Sequence, residues 1–360
     1  MTGHRTLLHA FSTFRVGGPQ VRFCSLANGL LSQHRHVIFA MDGRYECRER
    51  LRDGLDVTFA DVLAKKPDTL GNRRRFRKYL KTHRPDVLVS YNWGSLEWAM
   101  ANWPRVVPHV HIEDGFGPEE ADRQLPRRVC MRRLLLSRSM VVVPSRTLEH
   151  IALDVWNLSP GRVRYIPNGV DCRRFAAPEI APIDWPGTTP VIGTVAALRP
   201  EKNLSRLLRA FRLVRERMPC RLLIAGDGEE RASLEKQAEF LGLREQVLFT
   251  GHVQETERIY AALDLFALSS DTEQMPTTVV EAMASGLPVA AVDVGDISQM
   301  VAAENRPFVT ERNEASLASA ICKLLDSPNL RARIGAANSA HAQAHFDEWT
   351  MGATYAEVFG

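Results

Sequence analysis

Glu273-Gln-Met-Pro276-Thr277-Thr278-Val-Val-Glu281-Ala-Met-Ala-Ser-Gly286-Leu-Pro288 is the stretch on which the reading of this 360-residue chain turns. It follows one apolar run, Asp264–Leu268, and precedes another that starts at Pro288. A helix opening near Thr277 stops at Gly286, because glycine readily takes the left-handed conformation that closes helices. The first amides of such a helix have no partner within it and carry the positive end of its dipole. They form an anion site that suits a diphosphate. Glu281 falls just over one turn inside the helix, where a carboxylate can accept hydrogen bonds from a ribose diol. Glu273 lies in the loop before it, near where a sugar on that diphosphate would project. The plainer alternative is an exposed acidic loop beside an ordinary helix. An anion site does not by itself call for two flanking carboxylates, which weighs against that alternative.

Working outward, short β-branched runs alternate with longer amphipathic ones along both halves, the pattern of parallel sheets flanked by helices. In the first half the runs are Thr6–Phe11, Val37–Met41, Val57–Ala60, Asp86–Tyr91, Val106–His111, Met140–Pro144 and Val163–Ile166. In the second half they are Val191–Leu198, Arg221–Ala225, Val247–Thr250, Asp264–Leu268, Pro288–Val292 and Phe308–Thr310. Helical stretches include Gln20–Leu31, Arg73–Thr82, Arg127–Leu136, Leu204–Arg217, Glu229–Leu241 and Leu317–Leu325, and residues 328–359 are helical in pattern. Prolines 178, 182, 186 and 190 mark a seam that fits an extended linker. The expected organisation is a first domain over 1–176, a linker over 177–190 and a second domain over 191–345. A last helix, 346–360, packs back toward the first domain. The expected fold class is α/β, with two doubly wound units whose strand ends face each other across a cleft.

Composition places the chain among globular proteins, with 45% hydrophobic and 24% charged residues. No N-terminal stretch reads as a signal peptide, and no run approaches the roughly 20 apolar residues of a membrane-spanning helix. Six scattered cysteines without a Cys-x-x-Cys pair read as reduced thiols in a cytoplasmic protein, with no zinc site behind them. The net charge of +4 conceals a split: residues 1–180 hold 29 Lys/Arg against 18 Asp/Glu, and residues 181–360 hold 17 against 24. The basic residues gather in Arg73-Arg74-Arg75-Phe76-Arg77-Lys78 and in Arg127, Arg128, Arg132, Arg133 and Arg138. The second group is interleaved with Val129, Met131 and Leu134–Leu136, as in a basic amphipathic helix. Two readings stay open: solvated helix faces, or a peripheral contact with anionic lipid on the inner face of a membrane. Nucleic acid is not expected, since no recognition motif accompanies the charge.

The Glu-x7-Glu turn followed by Ala-Met-Ala-x-Gly-x-Pro resembles the family-4 glycosyltransferases. The resemblance extends to Gly17-Gly18 after the first run, Ile166-Pro-Asn-Gly-Val-Asp171, Leu198-Arg-Pro-Glu-Lys202-Asn203, Ala225-Gly-Asp-Gly228, Phe249-Thr-Gly251 and Phe346-x-x-Trp349 with Tyr355. It implies the GT-B fold and transfer of a sugar from a nucleotide-diphosphate sugar to a glycan or lipid-linked acceptor. It further implies retained anomeric configuration, with neither a cofactor nor a catalytic metal. By this resemblance Glu273 faces the transferred sugar, Glu281 holds the ribose and Lys202 neutralises the leaving diphosphate. Thr277 and Thr278 open the anion-binding helix, Gly251 contacts the base, and Gly17 and Gly18 lie against the diphosphate. The family places an arginine five residues before this lysine, where the chain has Ala197, and Arg199 is the expected substitute. His111 corresponds to the family's cleft histidine near the reacting sugar, with His109 the second candidate on the same strand face. A metal reading of His109, His111 and Asp114 fits no common spacing. Two other functions remain open: a sugar-nucleotide epimerase of the same fold, and a non-catalytic sugar-nucleotide-binding protein, the latter raised by Ala197. A phosphorylase would need a longer chain and a pyridoxal phosphate lysine.

Overall fold

The computed structural model describes residues 4–120, 123–185 and 187–360. Met1–Gly3, Ala121, Asp122 and Pro186, the last within the expected linker, lie outside the described residues. The chain forms two compact units. One holds the described residues up to Asn168 together with Trp349–Gly360; the other is Gly169–Glu348.

The first unit is built on seven strands: β1 (Thr6–Phe11), β2 (Arg35–Ala40), β3 (Val57–Phe59), β4 (Val87–Tyr91), β5 (His109–Ile112), β6 (Met140–Val143) and β7 (Val163–Tyr165). They form one parallel sheet in the order β3-β2-β1-β4-β5-β6-β7. Side chains alternate across a strand, so one sheet feeds two cores. Leu7 and Phe11 join Phe23, Ile38, Val89, Tyr355 and Phe359 on one face. Leu8 and Ala10 join Phe39, Phe76, Leu88 and Trp98 on the other. The closing helix, Glu348–Phe359, supplies Met351, Tyr355 and Phe359 to the first of these cores.

The second unit repeats the plan with β8 (Val191–Val195), β9 (Arg221–Ala225), β10 (Val247–Gly251), β11 (Leu265–Leu268), β12 (Val289–Val292) and β13 (Val309–Thr310). Their order is β10-β9-β8-β11-β12-β13, again parallel. In both sheets the winding direction reverses once, between β1 and β4 in the first and between β8 and β11 in the second. Such switch points are where open α/β sheets leave a crevice at their carboxyl ends. In the second sheet the crevice opens early. β8 pairs with β9 over its whole length but with β11 only at Ile192 and Gly193. The expected run to Leu198 therefore stops as a strand at Val195, and residues 196–198 lean toward β9, bonding to Ala225 and Asp227.

The structure changes unit at Asn168, eight residues before the boundary read from the sequence. The short helix Cys172–Ala176 buries Cys172 and Phe175 in the second core, and Val170 exchanges backbone hydrogen bonds with Phe346 and Glu348. The proline-rich stretch also belongs to the second unit. Ile183 and Trp185 pack on its core, the Arg258 guanidinium donates to the Ala181 carbonyl, and the Arg221 guanidinium stacks on Trp185. Prolines prevent regular structure there without preventing packing.

Candidate functional site

At the switch point of the second unit, two loops converge. The loop after β8 carries Arg199–Asn203, and the loop after β11 carries Ser269–Pro276. Lys202 Nζ lies 2.6 Å from Glu273 Oε1, with the lysine side chain 25% exposed and the carboxylate 11%. Ser270 Oγ donates to the same carboxylate oxygen at 2.7 Å, and Ser269 Oγ donates to the Lys202 carbonyl at 3.1 Å. Behind this pair the loops are stitched together. Asn203, at φ 43°, caps the helix Leu204–Arg215 through Arg206 N, and its side-chain amide reaches Asp271 at 2.9 Å. Arg206 binds Asp271 at 2.6 Å and the Ser269 carbonyl at 2.8 Å. Gly295 supports the pair from β12's loop. It adopts φ +57°, and a Cβ there would fall 2.4 Å from the Glu273 carbonyl oxygen, so only glycine lets the two backbones approach.

The helix Thr277–Ala284 opens beside Glu273. Its N-cap is Pro276, which offers no side-chain acceptor, so no side chain caps the amides of its first turn. The helix closes as read from the sequence: Gly286, at φ +72°, follows Ser285, and Leu287 N returns to the Ala282 carbonyl. Glu281 Oε2 accepts a 2.7 Å hydrogen bond from Tyr260, whose hydroxyl also lies 3.2 Å from the Thr278 carbonyl. Burial raises the Glu281 carboxyl above the usual range, against the opposing pull of Tyr260 and Arg174. Arg174 itself is held in a two-pronged ion pair by Glu257, at 2.9 and 2.5 Å. Tyr260, Arg174, Glu257 and Gly295 were not singled out from the sequence. Only Gly295, in an Asp-Val-Gly-Asp loop after a strand, left a signal there.

Gly251 ends β10 at φ +74°, and its carbonyl accepts from Gly226 N at 2.9 Å. Gly226 and Gly228 are packing requirements. A Cβ on either would strike the carbonyl of Ala196 at 1.8 Å or of Leu198 at 2.4 Å.

In the first unit, Gly17 and Gly18 open the helix Gly18–Asn28, again without a side-chain cap. His111 lies on β5, fully buried. Its Nδ1 is 2.8 Å from Ser90 Oγ and its Nε2 is 3.5 Å from Glu113 Oε2. His109 shares the same serine at 2.8 Å and places its other nitrogen 2.7 Å from Ser139 Oγ. Burial, then the neighbouring His111 and Arg105, hold His109 down to about 3, so it is neutral at ordinary pH. Asp114 points elsewhere, to a 2.5 Å ion pair with Arg22, which also donates to Asn168 at 2.7 Å. The triad His109, His111 and Asp114 is therefore not gathered on one point.

Glu113 continues inward to Arg132, whose Nε lies 3.3 Å from Glu113 Oε2 and whose other nitrogens bind Glu120 at 3.1 and 3.0 Å. The rings of Trp93, Phe116 and Trp156 each lie 5.1 Å from this guanidinium carbon. Arg128 joins the cluster through Glu119 and Glu120, and Arg133 donates to the carbonyls of Val155 and Trp156. This corrects the basic-face reading of the helix Pro126–Leu136 for Arg132 and Arg128, while Arg127, Arg133 and Arg138 are exposed as that reading expects. Arg132 lies on the same stripe as Leu135 and Leu136, both buried, and its charge is spent inside the unit.

The family described as Glycosyltransferase Family 4 matches residues 16–174, and that described as Glycosyl transferases group 1 matches residues 177–341. The chain belongs to the family-4 glycosyltransferases. Its fold class is the α/β GT-B fold. The relatives include a GDP-mannose-dependent monoacylated alpha-(1-6)-phosphatidylinositol monomannoside mannosyltransferase of Corynebacterium glutamicum. It is 31% identical over 205 residues, 52% of this chain and 53% of that protein. They also include the lipopolysaccharide core biosynthesis glycosyltransferase LpsE of Rhizobium meliloti, 31% identical over 174 residues, 48% and 50% of the two chains. The chain thus spans about half the length of these curated relatives. Two solved structures share the fold at low identity. A glycosyltransferase of Rickettsia africae has a TM-score of 0.83 at 16% identity, covering 100% of this chain and 98% of its own. Anabaena HepE in complex with UDP has a TM-score of 0.82 at 21% identity, covering 98% and 99%.

Ala197 stands where the resemblance drawn from the sequence calls for an arginine. Ala197 and Arg199 are both exposed on either side of the buried Leu198, but the strand does not persist to them. β8 ends at Val195, and the Arg199 amide turns back onto the Ala197 carbonyl at 2.9 Å, so strand alternation does not put them on one face. The Arg199 side chain is 63% exposed and makes a loose 3.9 Å contact with Glu201.

Proposed function

We propose that this chain transfers a sugar from a nucleotide-diphosphate sugar to a glycan or lipid-linked acceptor, with retention at the anomeric carbon. The Lys202–Glu273 pair, set at the β8/β11 switch point beside a helix start without a side-chain cap, carries this reading. In it the diphosphate sits on the amides around Thr277 and Thr278. Lys202 supplies positive charge as the leaving group departs, and Glu273 orients the transferred sugar. Electrostatic complementarity to developing charge is the contribution such a lysine makes. Glu281 accepts from the ribose diol, the backbone around Gly251 meets the base, and Arg199 adds the charge that Ala197 cannot. Gly17, Gly18 and His111 are assigned to the first unit's side of the reaction. His111 acts there as a ring fixed by Ser90 and Glu113, and it must be uncovered to touch a sugar. The reaction needs no cofactor and no metal ion, since lysine and helix amides supply the countercharge.

Relatives whose names include GDP-mannose, and solved neighbours bound to UDP and UDP-glucose, make both bases worth testing. Lipid-linked or cell-surface polysaccharide assembly is the proposed setting, given the phosphatidylinositol monomannoside and the lipopolysaccharide core biosynthesis that the relatives' names carry. No helix among the described residues is long and apolar enough to cross a membrane. The exposed Arg74 and Lys78 of the helix Thr69–His83 are the proposed peripheral contact with the cytoplasmic leaflet.

A thermal-shift screen against UDP-, GDP- and ADP-sugars tests the reading, since a ligand that binds the folded chain raises its Tm. The expected result is one responsive nucleotide class, followed by transfer in EDTA to give a product with the donor's anomeric configuration. Absence of any response, inversion in the product, or epimerised donor without transfer would overturn it.

A further inference from the structure

The amino-terminal edge of the first sheet carries a second concentration of charge, which the reading above leaves unused. Arg5 immediately precedes β1, Arg162 immediately precedes β7, Arg138 lies two residues before β6, and Arg105 lies four before β5. Because the strands are parallel, all four arrive at the same end of the sheet, opposite the strand ends that carry Glu113 and Asp114. They line one open cavity of about 200 Å³, together with Val87, His109, Val110, Met140 and Phe359.

None of these four guanidinium groups makes an ion pair with a carboxylate among the described residues. Arg162 donates to the Arg138 carbonyl at 3.0 Å and Arg5 to the Phe359 carbonyl at 2.8 Å. Among the described residues no side-chain hydrogen bond engages the guanidinium of Arg105 or Arg138. Elsewhere in this unit arginines find carboxylates closely, as Arg22 does with Asp114 and Arg132 with Glu120. Helix ends that point toward this edge offer partial negative charge, enough to favour one nearby cation each. They do not account for four guanidinium groups around one cavity, whose mutual repulsion a bound anion would relieve. His109 contributes shape and polarity without charge, since burial, then His111 and Arg105, keep its ring neutral.

We propose that this cavity is a binding site for a phosphate group, separate from the nucleotide-sugar site of the second unit. Guanidinium groups pair with phosphate through parallel charge-assisted hydrogen bonds. Two sources present that chemistry: free phosphate and the phosphodiester of an anionic phospholipid.

The test compares the wild type with R105Q/R138Q, whose side chains make no hydrogen bond or ion pair among the described residues, and with R74Q/K78Q as a control for basic surface elsewhere. Inorganic phosphate titrated into the wild type should give saturable binding that R105Q/R138Q weakens about tenfold or more and R74Q/K78Q leaves unchanged. Independently of any variant, phosphate should slow phenylglyoxal modification of Arg105 and Arg138, mapped by mass spectrometry, without slowing that of Arg74. Vesicles of phosphatidylglycerol in phosphatidylcholine separate the sources. Vesicle binding lost in R105Q/R138Q marks a lipid phosphodiester, and vesicle binding unchanged in that variant, with phosphate binding lost, marks a free phosphate. Unaltered modification rates in phosphate, together with vesicle binding indifferent to R105Q/R138Q, would overturn the proposal.

Discussion

Each unit of this molecule sets a cation against a glutamate near the carboxyl ends of its strands, and the two pairs live in different surroundings. Lys202 and Glu273 stand on loops at a switch point, partly open, with a helix start beside them. Arg132 and Glu113 are closed in by three aromatic rings and a second carboxylate, and neither side chain reaches solvent. The open pair can exchange partners: a diphosphate can take the lysine from Glu273, since the ammonium is partly exposed and Ser270 still donates to the carboxylate. The closed pair cannot, because every charge in it was desolvated on folding and depends on the others. The first arrangement suits chemistry and the second suits fixing a shape, here the loop Glu113–Glu120 and, through Glu113, the ring of His111.

Arg132→Ala should produce the largest effect, stranding Glu113 as a buried charge and leaving Glu120 to Arg128 and the Leu125 amide alone. A loss of about 3–5 kcal/mol in the first unit's stability is expected, read as a lower urea midpoint. A midpoint close to wild type would mean the aromatic enclosure, not the charge, holds the loop. Acid sharpens the same point. Burial alone would raise Glu120, but hydrogen bonds from Arg132 and Arg128 and from the Leu125 amide outweigh it and hold the carboxyl below the usual range. Its contribution is therefore present above the ordinary glutamate pKa and lost as pH falls toward the folded value.

Next comes Lys202→Ala, which should keep the fold while lowering turnover about 10²–10³-fold, the range for removing one charge-stabilising donor. Rates near wild type would assign the lysine to stability alone. A smaller effect is expected for Glu281→Gln, which keeps the Tyr260 hydrogen bond and removes a charge that burial disfavours. Stability should be unchanged or higher above the ordinary carboxylate range, where the wild type bears the cost of ionisation. Donor affinity in calorimetry should fall severalfold, and unchanged affinity would remove Glu281 from the ribose. Arg199→Ala should do least, weakening donor affinity a fewfold with an effect that shrinks in high salt, as expected of an exposed charge.

The fold was legible because each strand carries its own apolar run and each helix its own period. Thr6–Phe11 and Arg221–Ala225 match the sequence reading residue for residue. Two strand ends shifted for tertiary reasons. β5 starts at His109 rather than Val106 because the Asn102 side chain takes the amides of Val106 and Val107. β8 loses β11 after Gly193 and stops at Val195, opposite the end of β9 at Ala225. The Glu273–Glu281 stretch was legible because its carboxylates, its helix start and its closing glycine lie within one short segment. The Arg132 enclosure was not, because its partners are scattered over Trp93, Glu113, Phe116, Glu120 and Trp156. Charge counted along the chain does not say which side of a helix it is on. The spacing of Arg132 to Leu135 and Leu136 was the available clue.

Hydrogen exchange with and without the nucleoside diphosphate that raises the Tm tests the central claim most directly. Slower exchange is expected in the segment 199–206 and across 269–281, centred on the amides at Thr277 and Thr278. Protection confined to the first unit, or an unchanged 269–281 segment at saturating nucleotide, would contradict it.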